Sequence, residues 1–366
     1  VSGELREVAL GAVAAAAPDA GAGAWVVGGA VRDELLGRPI VDLDIACTET
    51  ERAARAAARA SGGSPFPLSE RHGAWRVVLA DGRTIDFTPL AGTLVEDLAQ
   101  RDFTVNAMAS PLAGGPLVDP HDGQADLRAG VLRHVSAGAL DADPVRLLRA
   151  VRFEDELGLR MEPVTEAAVA ARAALVTRPA GERVLAELQR LSAAGWRRLD
   201  ELGLLVVLGG GSPDGGRGTG AGGRHLETLA PGEDAPPGHL LLVAALGEAL
   251  LRLPVSNDLR RYARTLLRAE LPADASARVV HRFRRVTEPW SLDALVLLGA
   301  DEPLHAAVRH ARATEPAEPL VRGDELNLPP GPQVGRILAA IAEERAAGTI
   351  TTRDEALALA RREGAL

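Results

Sequence analysis

The sequence predicts an α/β head over residues 1–135 followed by an all-α remainder. Three observations carry this. The first segment mixes short apolar runs with helical spacing. Val41 to Ala46 alternates Asp with apolar residues, the period of a strand. From Pro144 onward the apolar residues recur at helical intervals almost throughout. A length of 366 residues suits two or three domains. The divisions expected are a head (1–135), a helical neck (136–205) and a helical body and tail (206–366).

Leu5 to Ala17 reads as a helix: Glu4, Arg6 and Glu7 precede its Ala-rich run, which argues against a signal peptide. Ala24 to Val27 is a short apolar strand ending in Gly28-Gly29, and Ala30 to Leu36 returns to helical spacing. Trp75 to Leu79 and Thr84 to Phe87 form a hairpin pattern around Ala80-Asp81-Gly82. Helices are expected over Pro144–Leu157, Val164–Ala174, Gly181–Ala193 and Trp196–Leu208. Gly209 to Gly223 reads as a flexible linker or surface loop. Helical segments resume near His239, and a Pro/Gly break at Leu328–Gly331 precedes a last pair of helices.

Hydrophobic residues make up 46% of the chain and aromatics 3%, so Leu, Val and Ala must fill most of the core. Lysine is absent; with the excess of Ala, Gly and Pro, this reads as coding bias. The net charge of −9 has the wrong sign for bulk attraction to nucleic acid. RNA binding therefore requires arginines gathered on one face. The single Cys47 excludes an internal disulfide and fits a reducing cytoplasm. No stretch reaches the roughly 18 apolar residues of a membrane span, so no membrane association is expected.

The strongest local signal is Gly28-Gly29-Ala30-Val31-Arg32-Asp33 followed by Asp42-Leu43-Asp44. A double Gly between strand and helix lets backbone N–H groups approach a phosphate, and a helix start adds a favourable dipole. Arg32 suits a charge-assisted contact to a triphosphate oxygen. Asp42 and Asp44 lie two apart on a strand and leave the same face. Side-by-side carboxylates suit Mg²⁺, which binds through one or two of them plus substrate phosphates. Asp86, on the next predicted strand, is the candidate third carboxylate. A double Gly alone is usually a turn, and Asp-Leu-Asp alone a solvated strand face. Together, with Arg32 between them, they point to phosphate and metal chemistry. The dinucleotide fingerprint is incomplete, since its third Gly is absent.

These residues resemble the first motif of the class II tRNA nucleotidyltransferases (CCA-adding enzymes) and bacterial poly(A) polymerases, of the polymerase-β nucleotidyltransferase superfamily. Further motifs follow in order. Residues Glu96 to Ala109 resemble the ribose-recognition motif. Asp119-Pro120 with Gly123 resembles the segment after it. Asp143 to Phe153 resembles the base-selecting helix, and Gly181-Glu182-Arg183 with Glu187-Leu188 the last of the set. The resemblance implies a head of the polymerase-β type with helical neck, body and tail. It implies Mg²⁺ at Asp42 and Asp44, with Gly28, Gly29 and Arg32 at the nucleotide phosphates. Arg101, Asp102 and Asn106 would meet phosphate and ribose. Asp143 and Arg146 would meet the base edge, with Arg149 and Arg152 helping to hold the triphosphate. Positions 143, 146, 149 and 152 recur every three residues, which places them on one slowly drifting helix face. An Arg fork and a carboxylate together can pair with the edge of cytosine or adenine. Glu182 and Arg183 are either functional or a structural ion pair bracing this helix.

Three departures stand out. Gln100 replaces the first of two Arg often found before Asp102. Ala142 stands where a Glu usually precedes Asp143. The segment Phe87 to Val95 is shorter than in enzymes that build the whole CCA end, which puts A addition in doubt and leaves open CC addition only or a different loop arrangement. The segment from Pro319 resembles a tail found in relatives that often carry an HD-type phosphohydrolase unit before it. No His-Asp pair stands at Leu240–Leu251, where that unit would place one. The pair His121-Asp122 falls inside the Asp119–Gly123 turn. His225, His239, His281, His305 and His310 are scattered and read as surface or capping residues, not a metal site. The eight arginines between Arg260 and Arg285 form the densest basic run of this half, either a solvated face or a stripe for RNA phosphates.

The function expected is Mg²⁺-dependent, template-independent transfer of CMP and/or AMP from CTP or ATP to the 3′ end of tRNA. The chain would work in the cytoplasm as a monomer or homodimer. A poly(A) polymerase acting on general RNA is the nearest alternative. A non-catalytic RNA-binding protein on the same fold is the alternative of another class. The absence of a basic C-terminal extension tilts towards tRNA.

Overall fold

The structure is a computed structural model. It describes residues 2–17, 23–69, 73–90, 92–210, 226, 229–316, 318–329 and 331–364. The linker expected at Gly209–Gly223 lies almost wholly outside the described residues, as do His225 and Pro330. Two compact units divide the chain: Val1–Glu187 with Leu202–Leu204, and Leu188–Glu201 with Leu205–Leu366.

The first unit is built on a mixed six-stranded sheet with strand order β3-β4-β5-β2-β1-β6. Its strands are β1 (Trp25–Val27), β2 (Asp42–Cys47), β3 (Ser64–Ser69), β4 (Ala74–Val78), β5 (Thr84–Pro89) and β6 (Ala109–Pro111). The β4–β5 hairpin forms where Asp81-Gly82 marked it, with Leu79 N–H donating to the Arg83 carbonyl (2.9 Å). Strands β2 and β5 run parallel, placing Asp44 opposite Asp86. Helices α1 (Ser2–Ala16), α2 (Gly29–Leu35) and α3 (Thr50–Ser61) belong to this part. The buried alanines of α3 join α1 and the sheet in one core with Leu5, Ile45, Ile85 and Phe87.

The unit continues through α4 (Leu94–Ala99), α5 (Gly123–Ala129), α6 (Ala137–Ala142), α7 (Val145–Leu157), α8 (Pro163–Ala171) and α9 (Gly181–Leu188). The sequence suggested a division after residue 135, yet head and neck segments share this unit. One reason is a two-stranded parallel ladder, β7 (Val131–Leu132) with β8 (Arg160–Met161), so the neck is not wholly helical. Another is the ring contact of Phe103 with Phe153 on α7, edge to face at 5.7 Å.

The second unit is helical: α10 (Ala193–Glu201), α11 (Leu204–Val207), α12 (His239–Leu246), α13 (Asn257–Arg268), α14 (Ala277–Thr287), α15 (Ser291–Leu297), α16 (Glu302–Thr314), α17 (Pro332–Ala346) and α18 (Arg353–Gly364). The helix expected over Gly181–Ala193 stops at Leu188. The one expected over Trp196–Leu208 is broken after Glu201, where the chain turns at Gly203. The last two helices enclose a small core of Val321, Ile337, Ile341, Ile350 and Ala356. On α15 the buried acid Asp293 accepts from the Tyr262 hydroxyl (2.8 Å) and from the N–H groups of Glu233 (2.7 Å) and Asp234 (3.0 Å). No single described helix is long and apolar enough to cross a membrane.

Candidate active site

Strand β2 presents Asp42 and Asp44 on one face, as the alternation requires. Asp42 is exposed, and its Oδ1 accepts from the Thr84 hydroxyl at 2.6 Å. Asp44 is partly buried. Burial above all, then the neighbouring charge of Asp86, pushes its carboxyl up from 3.8 to about 6, against the opposing charge of Arg101; Asp42 adds to the rise. Asp86 is buried opposite Asp44, but both its oxygens are taken by the Arg76 fork (2.7 and 2.6 Å). It shapes the charge at Asp44 while its own oxygens are engaged by a cation.

Gly28 closes β1 and opens α2 with φ +71°, a left-handed conformation that favours glycine. A Cβ there would lie 2.9 Å from Arg101 Nη1 and 3.6 Å from Asp44 Oδ2. Gly28 therefore leaves the opening between a guanidinium and a catalytic-type carboxylate clear. Helix α2 has only seven residues, so the contribution expected of its dipole is small. Arg32, expected to meet a triphosphate, is buried and already engaged. It forks Asp33 (3.0 and 3.0 Å) and donates to Asn106 Oδ1 (2.6 Å).

Asn106 passes this link on, donating from Nδ2 to Asp102 Oδ1 (3.0 Å). Asp102 also accepts from Phe103 N–H (2.8 Å) and from Arg149 Nε and Nη2 (2.8 and 2.7 Å). Burial alone would raise the Asp102 carboxyl. The Arg149 charge and these hydrogen bonds outweigh it and hold the group below the usual carboxylate range. Phe153 is the hub of the same cluster, with the guanidinium carbons of Arg32, Arg149 and Arg152 at 5.2, 5.0 and 4.3 Å from its ring centre.

Two expectations on α7 change. Asp143 is not on the helix: it follows α6, and Pro144 caps α7. Both its oxygens are forked by Arg183 of α9 (3.0 and 2.8 Å), so Arg183 pairs with Asp143. Arg152 is 4% exposed and spent on Glu187 and Glu156. It braces α7 against α9 through Glu187. Arg146 differs. It meets no carboxylate within ion-pair distance among the described residues, and its guanidinium donates to the Ala139 carbonyl (3.3 Å). Burial pushes its pKa down, which marks a cation short of partners.

Sequence reasoning missed Arg76 and Thr84, whose roles come from sheet register, and Phe153 as a hub. Gly123 stands where no side chain fits. A Cβ there would lie 2.2 Å from the Thr104 carbonyl oxygen, beneath the ribose-type motif. Asp119 caps this turn, accepting from Gly123 and Gln124 N–H groups (2.7 and 2.9 Å). Among the described residues no three His, Cys, Asp or Glu side chains form a metal cluster. His305 meets the carbonyl of Asp301 at the start of its helix.

Residues 24–89 and 74–133 match the family model described as the poly A polymerase head domain. The A-adding tRNA nucleotidyltransferase of Deinococcus radiodurans is 36% identical, with 93% of this chain and 95% of that protein covered. The CC-adding tRNA nucleotidyltransferase of Thermus thermophilus is 33% identical, with 92% of each covered. The solved structure of the Bacillus stearothermophilus CCA-adding enzyme in complex with CTP matches at a TM-score of 0.72 and 27% identity, covering 99% of this chain and 98% of that one. The mixed-sheet head and helical remainder are thus those of the polymerase-β type. Fold and similarity over nearly the full length agree, and the chain belongs to the class II tRNA nucleotidyltransferase family.

Proposed function

We propose that this chain transfers CMP and/or AMP from CTP or ATP to the 3′ end of tRNA without a nucleic-acid template. The observation that carries this most is the Asp42–Asp44 pair beside Gly28 and Arg101, on a chain similar to tRNA nucleotidyltransferases over nearly its whole length. Gly28 and Gly29 leave room for the triphosphate at the start of α2. Arg101 supplies positive charge beside it. Asp102, held by Arg149 and Asn106, faces the ribose. Arg146 and Asp143 meet the polar edge of the base, so the protein does the selecting. Arg32 and Arg152 hold these groups in place from behind.

The donor set fits Mg²⁺. Two hard carboxylates stand on one face of β2, as suits an ion that completes its shell with water and substrate phosphates. The raised pKa of Asp44 comes first from burial and then from the negative charge of Asp86, and a cation beside it would offset both. When bound at Asp42 and Asp44, Mg²⁺ would supply charge stabilisation for the attacking and leaving oxygens of an in-line displacement.

Two narrower readings follow from different observations. The short connection between β5 and α4 favours CC addition, and the Deinococcus relative is A-adding. One assay separates them. The substrates are tRNAs lacking the CCA end, ending after its first C, and ending after its second C. Each is supplied with CTP, ATP or both. Extension of the first two by C alone supports CC addition, and extension of the third by a single A supports A addition. Extension of the first to the full triplet supports both activities in one chain. Long A tails on unrelated RNA, or no extension of any tRNA, would overturn the proposal.

A further inference from the structure

The sheet register sets three charged side chains in one row beside the site. Asp44 of β2 stands opposite Asp86 of β5, and Asp86 stands opposite Arg76 of β4. Residues paired directly across adjacent strands project from the same face. Asp42 lies two residues along β2 on that face, opposite Thr84, whose hydroxyl donates to it. Three carboxylates, Asp42, Asp44 and Asp86, therefore share one patch of the sheet with the guanidinium that β4 supplies.

Arg76 treats these carboxylates unequally. Its Nε and Nη2 donate to the two oxygens of Asp86 (2.7 and 2.6 Å), a bidentate fork. Neither Asp42 nor Asp44 has an ion pair among the described residues. An ion pair like Arg76–Asp86 would brace the sheet wherever it stood. Here its anion is the immediate neighbour of Asp44, so the fork also decides how many carboxylates a divalent ion meets. Two open carboxylates suit an ion that takes its other ligands from water and substrate phosphates. A third would hold the ion firmly without a nucleotide. It would also crowd negative charge where a triphosphate must enter.

We propose that Arg76 withholds Asp86 from the divalent ion in the nucleotide-free protein. The ion is then held weakly until the triphosphate brings its own oxygens. Arg76 is a positioning residue: it acts through Asp86 and touches neither substrate nor ion. The inference rests on the reading of Asp42 and Asp44 as metal ligands, and not on which nucleotide or RNA is used.

The test titrates the full chain, without nucleotide, with Mn²⁺, which suits the same oxygen ligands as Mg²⁺. Electron paramagnetic resonance follows the free ion. Binding to the wild type should be lost in Asp42→Ala, which places the counted ion at β2. Arg76→Gln should bind Mn²⁺ about tenfold more tightly, because it frees a third carboxylate. Asp86→Asn should bind it more weakly, since Arg76 is left as an unbalanced cation beside the site. The double variant Arg76→Gln/Asp86→Asn should return to within about twofold of the wild type, closing the cycle. It also decides the matter if Arg76→Gln, with its buried anion unpaired, fails to fold by circular dichroism. A double variant that binds Mn²⁺ about tenfold more weakly than the wild type would make Asp86 a ligand already, and would overturn the proposal. So would a folded Arg76→Gln of wild-type or weaker affinity, or Mn²⁺ binding that Asp42→Ala leaves unchanged. Transfer to tRNA is measured in parallel. A wild type that extends no tRNA, while Arg76→Gln still tightens the ion, sinks the catalytic reading alone.

Discussion

Asp102 is held by more charge and hydrogen bonding than any other carboxylate of the site, and its behaviour is the clearest residue-scale prediction. Its folded pKa is depressed, so its stabilising contribution is complete above the ordinary carboxylate value of about 3.9. That contribution is lost as pH falls below this value towards the folded one. Asp102→Asn should cost about 3 kcal/mol at neutral pH, the lower end for unpairing a buried ion, because Arg149 keeps Glu187 at 3.6 Å. Chemical denaturation at pH 7 and pH 3 should show the gap between variant and wild type narrowing in acid. Gly123→Ala should cost about 3 kcal/mol or more, since its methyl group would strike the Thr104 carbonyl, and a thermal melt would report it. Asp42, Asp44 and Gly28 were legible because alternation and local spacing define them. The partners of Asp143 and Arg152 were not, because they lie 40 and 35 residues away and only packing brings them near.

Among the elements, β2, the β4–β5 hairpin, α2 and α7 were readable from period and turn chemistry. Strand β3 was not. It carries Pro65 and Pro67, which argue against a strand, and it is tolerated because it lies at the sheet edge. Helix α3 was missed because its buried face is all alanine, a weak apolar signal, although small side chains are what let it pack closely on α1 and the sheet. Helix α7 is placed by Phe153, which touches three arginines and Phe103. Phe153→Leu should cost about 1–2 kcal/mol in stability from lost aromatic and cation–π contacts. Because the same ring steadies Arg149 behind Asp102, the KM for CTP or ATP should rise more than the KM for tRNA. Steady-state kinetics with each substrate varied in turn would check this.

For the whole molecule, the order of motifs foretold an α/β head and a helical remainder, but not that the head and residues 136–187 of the neck share one compact unit. That unity comes from the β7–β8 ladder and the Phe103–Phe153 contact, which join segments too far apart for periodicity to link. The net charge of −9 is locally reversed on α13 and α14, a basic run the sequence already marked, but which of its arginines are paired is visible only in the structure. The proposed function rests on the acidic pair of β2. Asp42 is exposed and accepts one hydrogen bond, from Thr84, so Asp42→Ala should cost about 1 kcal/mol or less in stability. The most direct measurement is nucleotide transfer to tRNA by Asp42→Ala beside the wild type, with unfolding followed in parallel. A loss of about 10³-fold or more in kcat, several kcal/mol of transition-state stabilisation, in a protein of near wild-type stability is the expected result. Transfer at close to the wild-type rate by that variant would contradict the placement of catalysis at Asp42 and Asp44.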